Sequence, residues 1–217
     1  MTIRDLSQED SICQTFVAEL RDVEIQKDPL RFRRNLERIG EVMAYEISKS
    51  LPFEDAEVTT PLGHASYRKQ REQPVIASIL RAGLTMHQGL LSYFDRADNA
   101  FISAFRKHHG AGDIIEVEVE YLASPALDGR TVILCDPMLA TGSSLALTYQ
   151  GLLEKGQPNL LFVACAIASQ PGIEYLEDKL PNNTHVICGA IDPSLDNMSY
   201  IVPGLGDAGD MAYGIKA

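Results

Sequence analysis

The sequence predicts an α/β protein in which a central parallel sheet carries helices on both faces. Apolar runs of strand length alternate along the chain with segments of helical periodicity, which is the order that builds parallel sheets. Two of these runs, at 75–80 and 132–135, are each followed by small residues and the start of a helix. The length of 217 residues suits one α/β domain, so we expect a single domain over 1–217.

The N-terminal half predicts a long amphipathic helix and the first buried strand. Asp28 and Pro29 supply an N-cap and a first-turn proline, and apolar residues then recur at helical spacing up to Pro52. The arginines between these apolar positions are predicted to lie on a solvated face. The other elements predicted here are a helix near 12–20, a turn at 61–63, a polar loop at 68–74, a strand at 75–80 and a helix at 84–94.

The C-terminal half predicts four more buried strands and one half-exposed strand. IEVEVEY at 115–121 alternates strictly, and with a loop before it and Pro125 after it predicts an arm of the kind that often forms dimers. Residues 106–110 predict a flexible basic loop, because His108 and His109 lack a third metal ligand at a suitable spacing. The other predicted elements are strands at 100–105, 132–135, 160–168 and 184–191 and helices at 145–156 and 172–180.

Composition excludes several classes of function. A net charge of −11 argues against sequence-independent binding to nucleic acid or to an anionic membrane. No apolar run is long enough to span a bilayer, and the N-terminus lacks the apolar core of a signal peptide. Four cysteines are widely separated without a CxxC pair, which is typical of buried thiols in a reducing compartment. We therefore expect a cytoplasmic protein that binds neither nucleic acid nor membrane.

The stretch from Val132 to Leu145 contains the strongest candidate for a ligand site. Asp136 falls at the end of a buried strand, and the small residues at 140–144 then lead into a helix. Backbone N–H groups in such a turn, together with the helix dipole, favour a phosphate with a sugar beside the Asp136 carboxylate. An ordinary βα turn with a capping Ser or Thr would have the same pattern. The turn is not a P-loop, since no Lys follows the Gly, and it lacks the GxGxxG fingerprint.

Other polar residues fall at the ends of neighbouring predicted strands. Arg81, Arg106 and Asp192 each follow an apolar run, as Asp136 does. Ligands of parallel sheets bind at the carboxyl ends of the strands, so these side chains are predicted to converge, although an arginine there could also pair with a nearby acid. Residues 200–210 are too apolar for a floppy tail and predict a rigid loop whose backbone could bind a planar heterocycle.

Four sequence motifs resemble those of a known family. CDPMLATGSS at 135–144 is similar to the signature with which uracil phosphoribosyltransferases bind phosphoribosyl diphosphate (PRPP). ILRAG at 79–83 resembles their pyrophosphate loop, and YIVPGLGDAGD at 200–210 resembles their uracil-binding segment. With FRRNLERIGEVMAYE at 32–46, the resemblance covers nearly the whole chain. It implies the type I phosphoribosyltransferase fold, with a hood from the N-terminal segment and about 192–217. It also implies conversion of uracil and PRPP to UMP and diphosphate in pyrimidine salvage.

The resemblance also implies roles for individual residues. Arg81 and Arg106 would bind the pyrophosphate of PRPP, and Asp136 would hold the ribose hydroxyls. Asp207 would contact PRPP and is the candidate general base, so the implied catalytic residues are Asp207, Arg106 and Asp136. The implied PRPP-binding residues are Arg81, Arg106, Asp136, Pro137, Met138, Leu139, Ala140, Thr141, Gly142, Ser143, Ser144 and Asp207. The implied uracil-binding residues, acting largely through backbone groups, are Ile201, Gly206, Asp207 and Ala208.

The same resemblance implies a cofactor and partners. Mg²⁺ is expected to be held mainly through PRPP oxygens and water, with no protein ligand set of its own. Uracil and PRPP are the implied partners, a GTP effector is a further one, and a homodimer or higher homo-oligomer is expected.

Several positions differ from the usual family pattern, and two alternative functions stay open. Ser143 replaces the second Gly of the usual TGGS, which predicts a narrower phosphate loop, and Ser199 stands where Gly commonly precedes the Tyr. One alternative is a related enzyme that uses another base. The other is a non-catalytic regulator that keeps the fold and binds a nucleotide or RNA.

Overall fold

The computed structural model describes residues 1–107 and 116–215, and these form a mostly parallel sheet with helices on both faces. The strands are β1 (Thr2–Asp5), β2 (Phe53–Thr60), β3 (Gly63–Gln70), β4 (Val75–Leu80), β5 (Asp98–Lys107), β6 (Glu116–Ala123), β7 (Thr131–Cys135), β8 (Met138–Leu139), β9 (Leu160–Ser169), β10 (His185–Asp192), β11 (Ser194–Leu195) and β12 (Ile201–Val202). The helices are α1 (Ile12–Arg21), α2 (Pro29–Ser48), α3 (Gly83–Tyr93), α4 (Ser143–Leu152), α5 (Gln170–Glu177) and α6 (Ala208–Tyr213), with 3-10 turns at Leu6–Gln8 and Leu153–Lys155.

The main sheet has eight strands, and its order brings the predicted site residues to one edge. Side by side lie β1, β10, β9, β7, β4, β5 and β6, and the short β8 pairs with β9. Every neighbouring pair is parallel except β5 and β6. Because β7 and β4 are adjacent at the centre, the loops that follow them lie next to each other. The predicted fold class is confirmed.

Two apolar cores cover the two faces of the sheet. Helices α1, α2 and α3 pack on one face, where the predicted stripe of α2 is buried, and α4 and α5 pack on the other. Asp28 caps α2 as predicted, since its carboxylate accepts the N–H groups of Leu30 and Arg31. Helices α2 and α3 approach closely at Gly40 and Gly89, because a Cβ at Gly89 would overlap the Glu37 carbonyl oxygen. The arginines of α2 are not all solvated, as described below.

Two elements of the N-terminal region were not predicted. Strand β1 adds in parallel to the edge of the sheet beside β10. Strands β2 and β3 form a separate antiparallel hairpin around the predicted turn, so the loop predicted at 68–74 is wrong over residues 68–70, which belong to β3. Nearly all side chains of this hairpin are exposed, so it lacks the apolar alternation by which a half-buried strand is predicted.

The predicted arm is an antiparallel hairpin that extends past the end of the main sheet. Strand β4 pairs with β5 only as far as Ser103, whereas β5 and β6 stay paired to Lys107 and Glu116. The backbone from 104 onward therefore leaves the parallel sheet. The basic loop predicted around His108 and His109, and the predicted strand start at Ile115, lie outside the described residues.

A buried histidine makes stability depend on pH. His87 of α3 is 2% exposed, its Nε2 lies 2.7 Å from Asn99 Oδ1, and its Nδ1 has no hydrogen-bond partner among the described residues. Burial lowers the pKa of His87 below its ordinary value of 6.5, although the hydrogen bond with Asn99 acts in the opposite direction. The folded state therefore binds fewer protons at this residue than the unfolded state does.

We expect His87 to contribute stability above pH 6.5 and to lose that contribution as the pH falls below 6.5 and through its lowered pKa. Urea unfolding of the wild type and of His87→Gln at several pH values tests this. The free energy of unfolding of the wild type, relative to the variant, should fall on acidification. A constant difference between the two proteins would contradict the prediction.

The burial of the cysteines is as predicted. Cys13, Cys135, Cys165 and Cys188 are all free and buried, and burial raises the pKa of Cys13 to about 11 and that of Cys135 to about 12. The thiols of Cys13 and Cys135 therefore stay protonated in the core. Among the described residues, no helix combines the length and the apolar character needed to cross a membrane.

Candidate active site

Asp136 lies at the centre of the candidate site, directly after β7. The residue is partly buried, and its Oδ1 accepts the Met138 N–H at 3.4 Å. Burial is the main reason that the pKa of the Asp136 carboxyl is raised from 3.8 to about 7; the charge of Asp207 also raises it, and the Met138 hydrogen bond opposes both. Near neutral pH this carboxyl is therefore about half protonated until a ligand changes its surroundings.

The residues between Asp136 and the turn are fixed by the neighbouring strand. Met138 and Leu139 form β8 against β9, and the Pro137 carbonyl oxygen accepts the Ile167 N–H at 3.0 Å. The side chain of Leu139 is buried in the core. Of Leu139, therefore, only the backbone could face a ligand.

The small-residue turn opens onto an uncapped helix N-terminus. Gly142 lies in the left-handed region at φ +79° and contributes no capping side chain to α4. The hydroxyls of Thr141 and Ser143 lie 2.7 Å apart, and the Ser143 N–H makes only a long 3.4 Å contact with Thr141 Oγ1. First-turn N–H groups of α4, including that of Ser144, thus point to the site without a capping side chain, which is the arrangement that favours an anion.

The backbone of the turn does not require a glycine at position 143. Among the described residues, Ser199 is the only non-glycine with positive φ, at 66°, so Ser143 needs no glycine-like conformation. The left-handed position is taken by Gly142, and Ser143 begins α4. Its hydroxyl adds a hydrogen-bonding group next to that of Thr141.

The start of α5 packs against the turn and is hydrogen-bonded to it through Ser169. Ser169 donates its hydroxyl to the Ala140 carbonyl oxygen at 2.6 Å and accepts the Gly172 N–H at 2.9 Å. A Cβ on Gly172 would overlap the Ala140 carbonyl oxygen, and one on Gly142 would lie 2.9 Å from the Gly172 carbonyl oxygen. This close backbone packing fixes the turn before any ligand binds.

Arg81 follows β4 at the same edge, but its guanidinium already has protein partners. The Leu80–Arg81 peptide is cis. The guanidinium donates to Asp210 Oδ1 at 3.1 Å and to the Gly214 carbonyl oxygen at 3.2 Å, whereas Nε is buried without a partner among the described residues. The acid that pairs with this arginine lies far along the chain, so its identity was not predicted from the sequence.

The C-terminal segment buries Ile201, Leu205 and Ala208, while part of its backbone stays exposed beside the site. Ile201 and Ala208 are 4% and 2% exposed, whereas Gly206 and Asp207 are exposed. Asp207 caps α6 by accepting the Asp210 N–H at 2.9 Å. The predicted loop at 200–210 is wrong at two places, since Ile201–Val202 form β12 and α6 begins at Ala208. Ligand contact through the backbone is compatible with the burial of Ile201 and Ala208.

Side-chain hydrogen bonds connect helix α6 to α2 and α3. Arg33 donates to the Ala212 carbonyl oxygen at 2.7 Å, and the Tyr213 hydroxyl lies 2.7 Å from Thr85 Oγ1. Arg33 is therefore partly buried and makes an internal contact, so the prediction of a fully solvated arginine face on α2 is wrong at this position.

Asp192 does not have the role that its strand-end position predicted. It is 5% exposed and forms a bidentate ion pair with Arg21, in which both N···O distances are 2.8 Å. Its carboxylate is thus already paired with another side chain of the protein. Arg106 is placed near the end of β5 by its backbone pairing with Val117, and its side chain lies outside what the structure describes.

The described residues contain no group of three or more His, Cys, Asp or Glu that could hold a metal ion. Asp136 and Asp207 are close enough to influence each other electrostatically. The edge of the sheet thus combines hydrogen-bond donors for an anion, two acidic groups, one arginine and exposed loop backbone. Such a set suits a ligand with a phosphate, a sugar and a polar ring.

A mostly parallel sheet with this acidic residue and open turn at its carboxyl edge is the arrangement of the type I phosphoribosyltransferase class. Within that class the chain belongs to the uracil phosphoribosyltransferase family, whose sequence model matches residues 7–215. The resemblance of the four motifs is thereby confirmed.

Individual relatives agree with the family. A curated uracil phosphoribosyltransferase of Porphyromonas gingivalis is 51% identical over 216 residues, and the match covers all of both chains. A second, from Sulfolobus acidocaldarius, is 36% identical over 222 residues, covering 99% of this chain and 100% of that one. The solved structure of the AQ2163 protein from Aquifex aeolicus superposes with a TM-score of 0.87 at 29% identity and covers 100% of both chains.

Proposed function

We propose that this protein transfers the phosphoribosyl group of PRPP to uracil and so forms UMP and diphosphate. One observation carries the proposal beyond family membership: Asp136 precedes the open turn of α4 along the chain and is near enough to Asp207, in the exposed part of the C-terminal segment, to feel its charge. A phosphate, a ribose and a base therefore find three adjacent subsites in the order in which UMP connects them.

The phosphate subsite is assigned to residues 140–144. The N–H groups of the first turn of α4 and the hydroxyls of Thr141, Ser143 and Ser144 donate to the 5′-phosphate. Asp136 accepts hydrogen bonds from the ribose hydroxyls, and these bonds favour its ionised form. Pro137, Met138 and Leu139 contribute backbone that supports this contact.

In the reaction, the bond from C1′ to the diphosphate oxygen breaks and N1 of uracil forms the new bond to C1′. Negative charge develops on the leaving diphosphate, and Arg81 and Arg106 are assigned to stabilise it. Arg81 must exchange Asp210 for the ligand, because its guanidinium is paired with that carboxylate in the free protein. Asp207 is the assigned acceptor of the N1 proton, and the backbone of Ile201, Gly206, Asp207 and Ala208 orients the ring.

Mg²⁺ fits the donor set of this site as a companion of PRPP. Mg²⁺ takes oxygen ligands and retains water, and the site offers the two neighbouring carboxylates of Asp136 and Asp207. These residues would face the ion, directly or through water, while PRPP supplies further oxygens. When bound, the ion neutralises charge on the departing diphosphate.

The wider organisation is also part of the proposal. Residues 1–217 form one domain, in which the N-terminal segment and about 192–217 make a hood over the sheet. Support comes from the contacts of α6 with α2 and α3. The protein acts in the cytoplasm as a homodimer or higher homo-oligomer with GTP as a further effector. Support for an oligomer comes from the β2–β3 hairpin, which exposes Phe53, Val58, Leu62 and Tyr67.

Removal of Mg²⁺ tests the cofactor assignment. With uracil and PRPP present, excess chelator is expected to lower the rate of UMP formation at least tenfold, or about 1.4 kcal/mol of transition-state stabilisation. Added Mg²⁺ should restore the rate, which separates loss of the ion from damage to the protein. An unchanged rate in the chelator would contradict a role for the metal.

A further inference from the structure

A partly buried ion pair joins the end of α1 to the end of β10, outside the groups assigned to substrate. Arg21 is the last residue of α1 and Asp192 the last of β10. Their side chains are 23% and 7% exposed, and two parallel N–H···O bonds of 2.8 Å connect them. This bidentate geometry fixes the orientation of both groups as well as their separation.

The same pair binds the C-terminal segment at Gly204, through both of its backbone polar groups. Arg21 donates to the Gly204 carbonyl oxygen at 3.1 Å, and Asp192 Oδ2 accepts the Gly204 N–H at 2.9 Å. The N–H and the carbonyl belong to two successive peptide planes. Both planes are therefore tied to one rigid ion pair.

The backbone conformation and the close packing of Gly204 require a glycine where the ion pair binds the segment. Its φ is +59°, and a Cβ at this position would overlap the Ile201 carbonyl oxygen. A residue with so much rotational freedom would not by itself fix the direction of the chain. Two residues later the chain reaches Gly206 and Asp207, which are exposed at the candidate base subsite.

We propose that Arg21 and Asp192 are positioning residues for the base subsite. They fix the peptide planes at Gly204 and thereby set where the backbone of Gly206 and Asp207 meets the uracil ring. The proposal rests on the proposed function, because it assigns the 201–208 segment to the base. Neither side chain contacts substrate, and the phosphate and ribose subsites do not depend on this pair.

Comparison of two ligands isolates the effect. UMP contains the base, whereas ribose 5-phosphate contains only the phosphate and the sugar, so calorimetric titration with both reports on the base subsite alone. In Asp192→Asn we expect the Kd of UMP to rise about tenfold, or about 1.4 kcal/mol, while that of ribose 5-phosphate stays within about twofold. The KM of uracil should rise in parallel, with little change in the KM of PRPP.

A second variant and a matched control complete the test. Arg21→Lys keeps the charge but loses the planar fork, so the same selective effect is expected at about threefold. Glu19→Gln provides the control, because Glu19 of α1 forms another bidentate pair, with Arg31 of α2, in which both N···O distances are 2.7 Å. This pair does not touch the C-terminal segment. The substitution should lower the melting temperature and leave both ligand affinities unchanged.

Three results would overturn the positioning role. One is an unchanged Kd of UMP in both Asp192→Asn and Arg21→Lys. Another is an equal loss of affinity for UMP and ribose 5-phosphate, which would indicate a general structural effect. The third is the same selective loss in Glu19→Gln. By contrast, an inactive wild type would contradict the proposed function itself, so the two failures are distinguishable.

Discussion

Asp136→Asn is expected to stabilise the unliganded protein at pH 8 while it lowers the rate of UMP formation at least tenfold. The wild type must keep an ionised carboxylate in surroundings that raise its pKa to about 7. Asn removes that charge and with it the repulsion from Asp207. It also replaces one of the two carboxylate oxygens assigned to the ribose hydroxyls by an NH2 donor, so about 1.4 kcal/mol or more of transition-state stabilisation is lost.

The sign of the pH dependence follows from the direction of the pKa shift. Because the pKa of Asp136 in the folded state lies above its ordinary value of 3.8, the folded protein holds a proton there over the range from about 4 to 7. The stabilisation from that proton is complete below pH 3.8 and is lost as the pH rises to about 7. The free energy of unfolding of the variant, relative to that of the wild type, should therefore increase with rising pH. At pH 8 we expect a difference of about 1 kcal/mol or more, or 2–4 °C in Tm.

Urea unfolding at pH 5 and pH 8 measures this difference directly. At pH 5 the advantage of the variant should be smaller than at pH 8, where the variant should be clearly the more stable protein. If Asp136→Asn were the less stable protein at pH 8, the buried and repelled state of this carboxyl would be contradicted. If it retained the wild-type rate, the assignment of Asp136 to the ribose would be contradicted.

Gly142→Ala is expected to have the second large effect, on both stability and the KM of PRPP. An alanine at φ +79° loses about 1–2 kcal/mol from the left-handed conformation alone. Its Cβ would also lie 2.9 Å from both the Gly172 carbonyl oxygen and Tyr175 Cδ1. The turn and α5 must then move apart, which displaces the N–H groups assigned to the 5′-phosphate. We expect the KM of PRPP to rise at least tenfold.

Gly129→Ala provides the matched control. Gly129 has nearly the same backbone conformation, at φ +69°, but a Cβ there meets nothing within 4 Å. This variant should lose about 1 kcal/mol of stability and keep its KM values, since only the conformational term applies. Equal kinetic effects of the two substitutions would show that packing of the turn against α5 is unimportant for PRPP binding.

The parts of the fold that could be predicted are those whose pattern is determined by burial. The runs at 75–80, 132–135 and 160–168 are apolar because both faces of the sheet are covered, and each lies in a strand. The β2–β3 hairpin was missed because its exposed side chains need no alternation. Strand β1 is only four residues long, and three of them are exposed.

In the site, the residue types were predictable and their pairing was not. Asp136 and the turn at 140–144 lie in one continuous stretch, so their joint role could be inferred from sequence order. The partners of Arg81 and Asp192 are 129 and 171 residues away. Two predicted ligand-binding charges therefore turned out to be engaged by other parts of the chain, Asp192 in a structural pair and Arg81 in a contact that a ligand must replace.

The small residues of the turn show the same difference between what the sequence predicts and what depends on tertiary packing. The sequence placed Ser143 where a glycine is usual, and this suggested a narrowed turn. The left-handed conformation falls on the preceding Gly142, so the backbone at Ser143 needs no glycine, whereas narrowing of the turn by the serine side chain stays a prediction. Which of two adjacent small residues needs positive φ depends on the packing of α5 behind the turn, and that packing is not visible in the sequence.

The central claim is that this site joins uracil to the phosphoribosyl group of PRPP. Incubation of the purified protein with PRPP, Mg²⁺ and labelled uracil, with chromatographic detection of nucleotides and diphosphate, tests it most directly. We predict labelled UMP and diphosphate in equal amounts, with no competition from an excess of adenine, guanine or hypoxanthine. Absence of labelled UMP, or preferential use of another base, would contradict the claim.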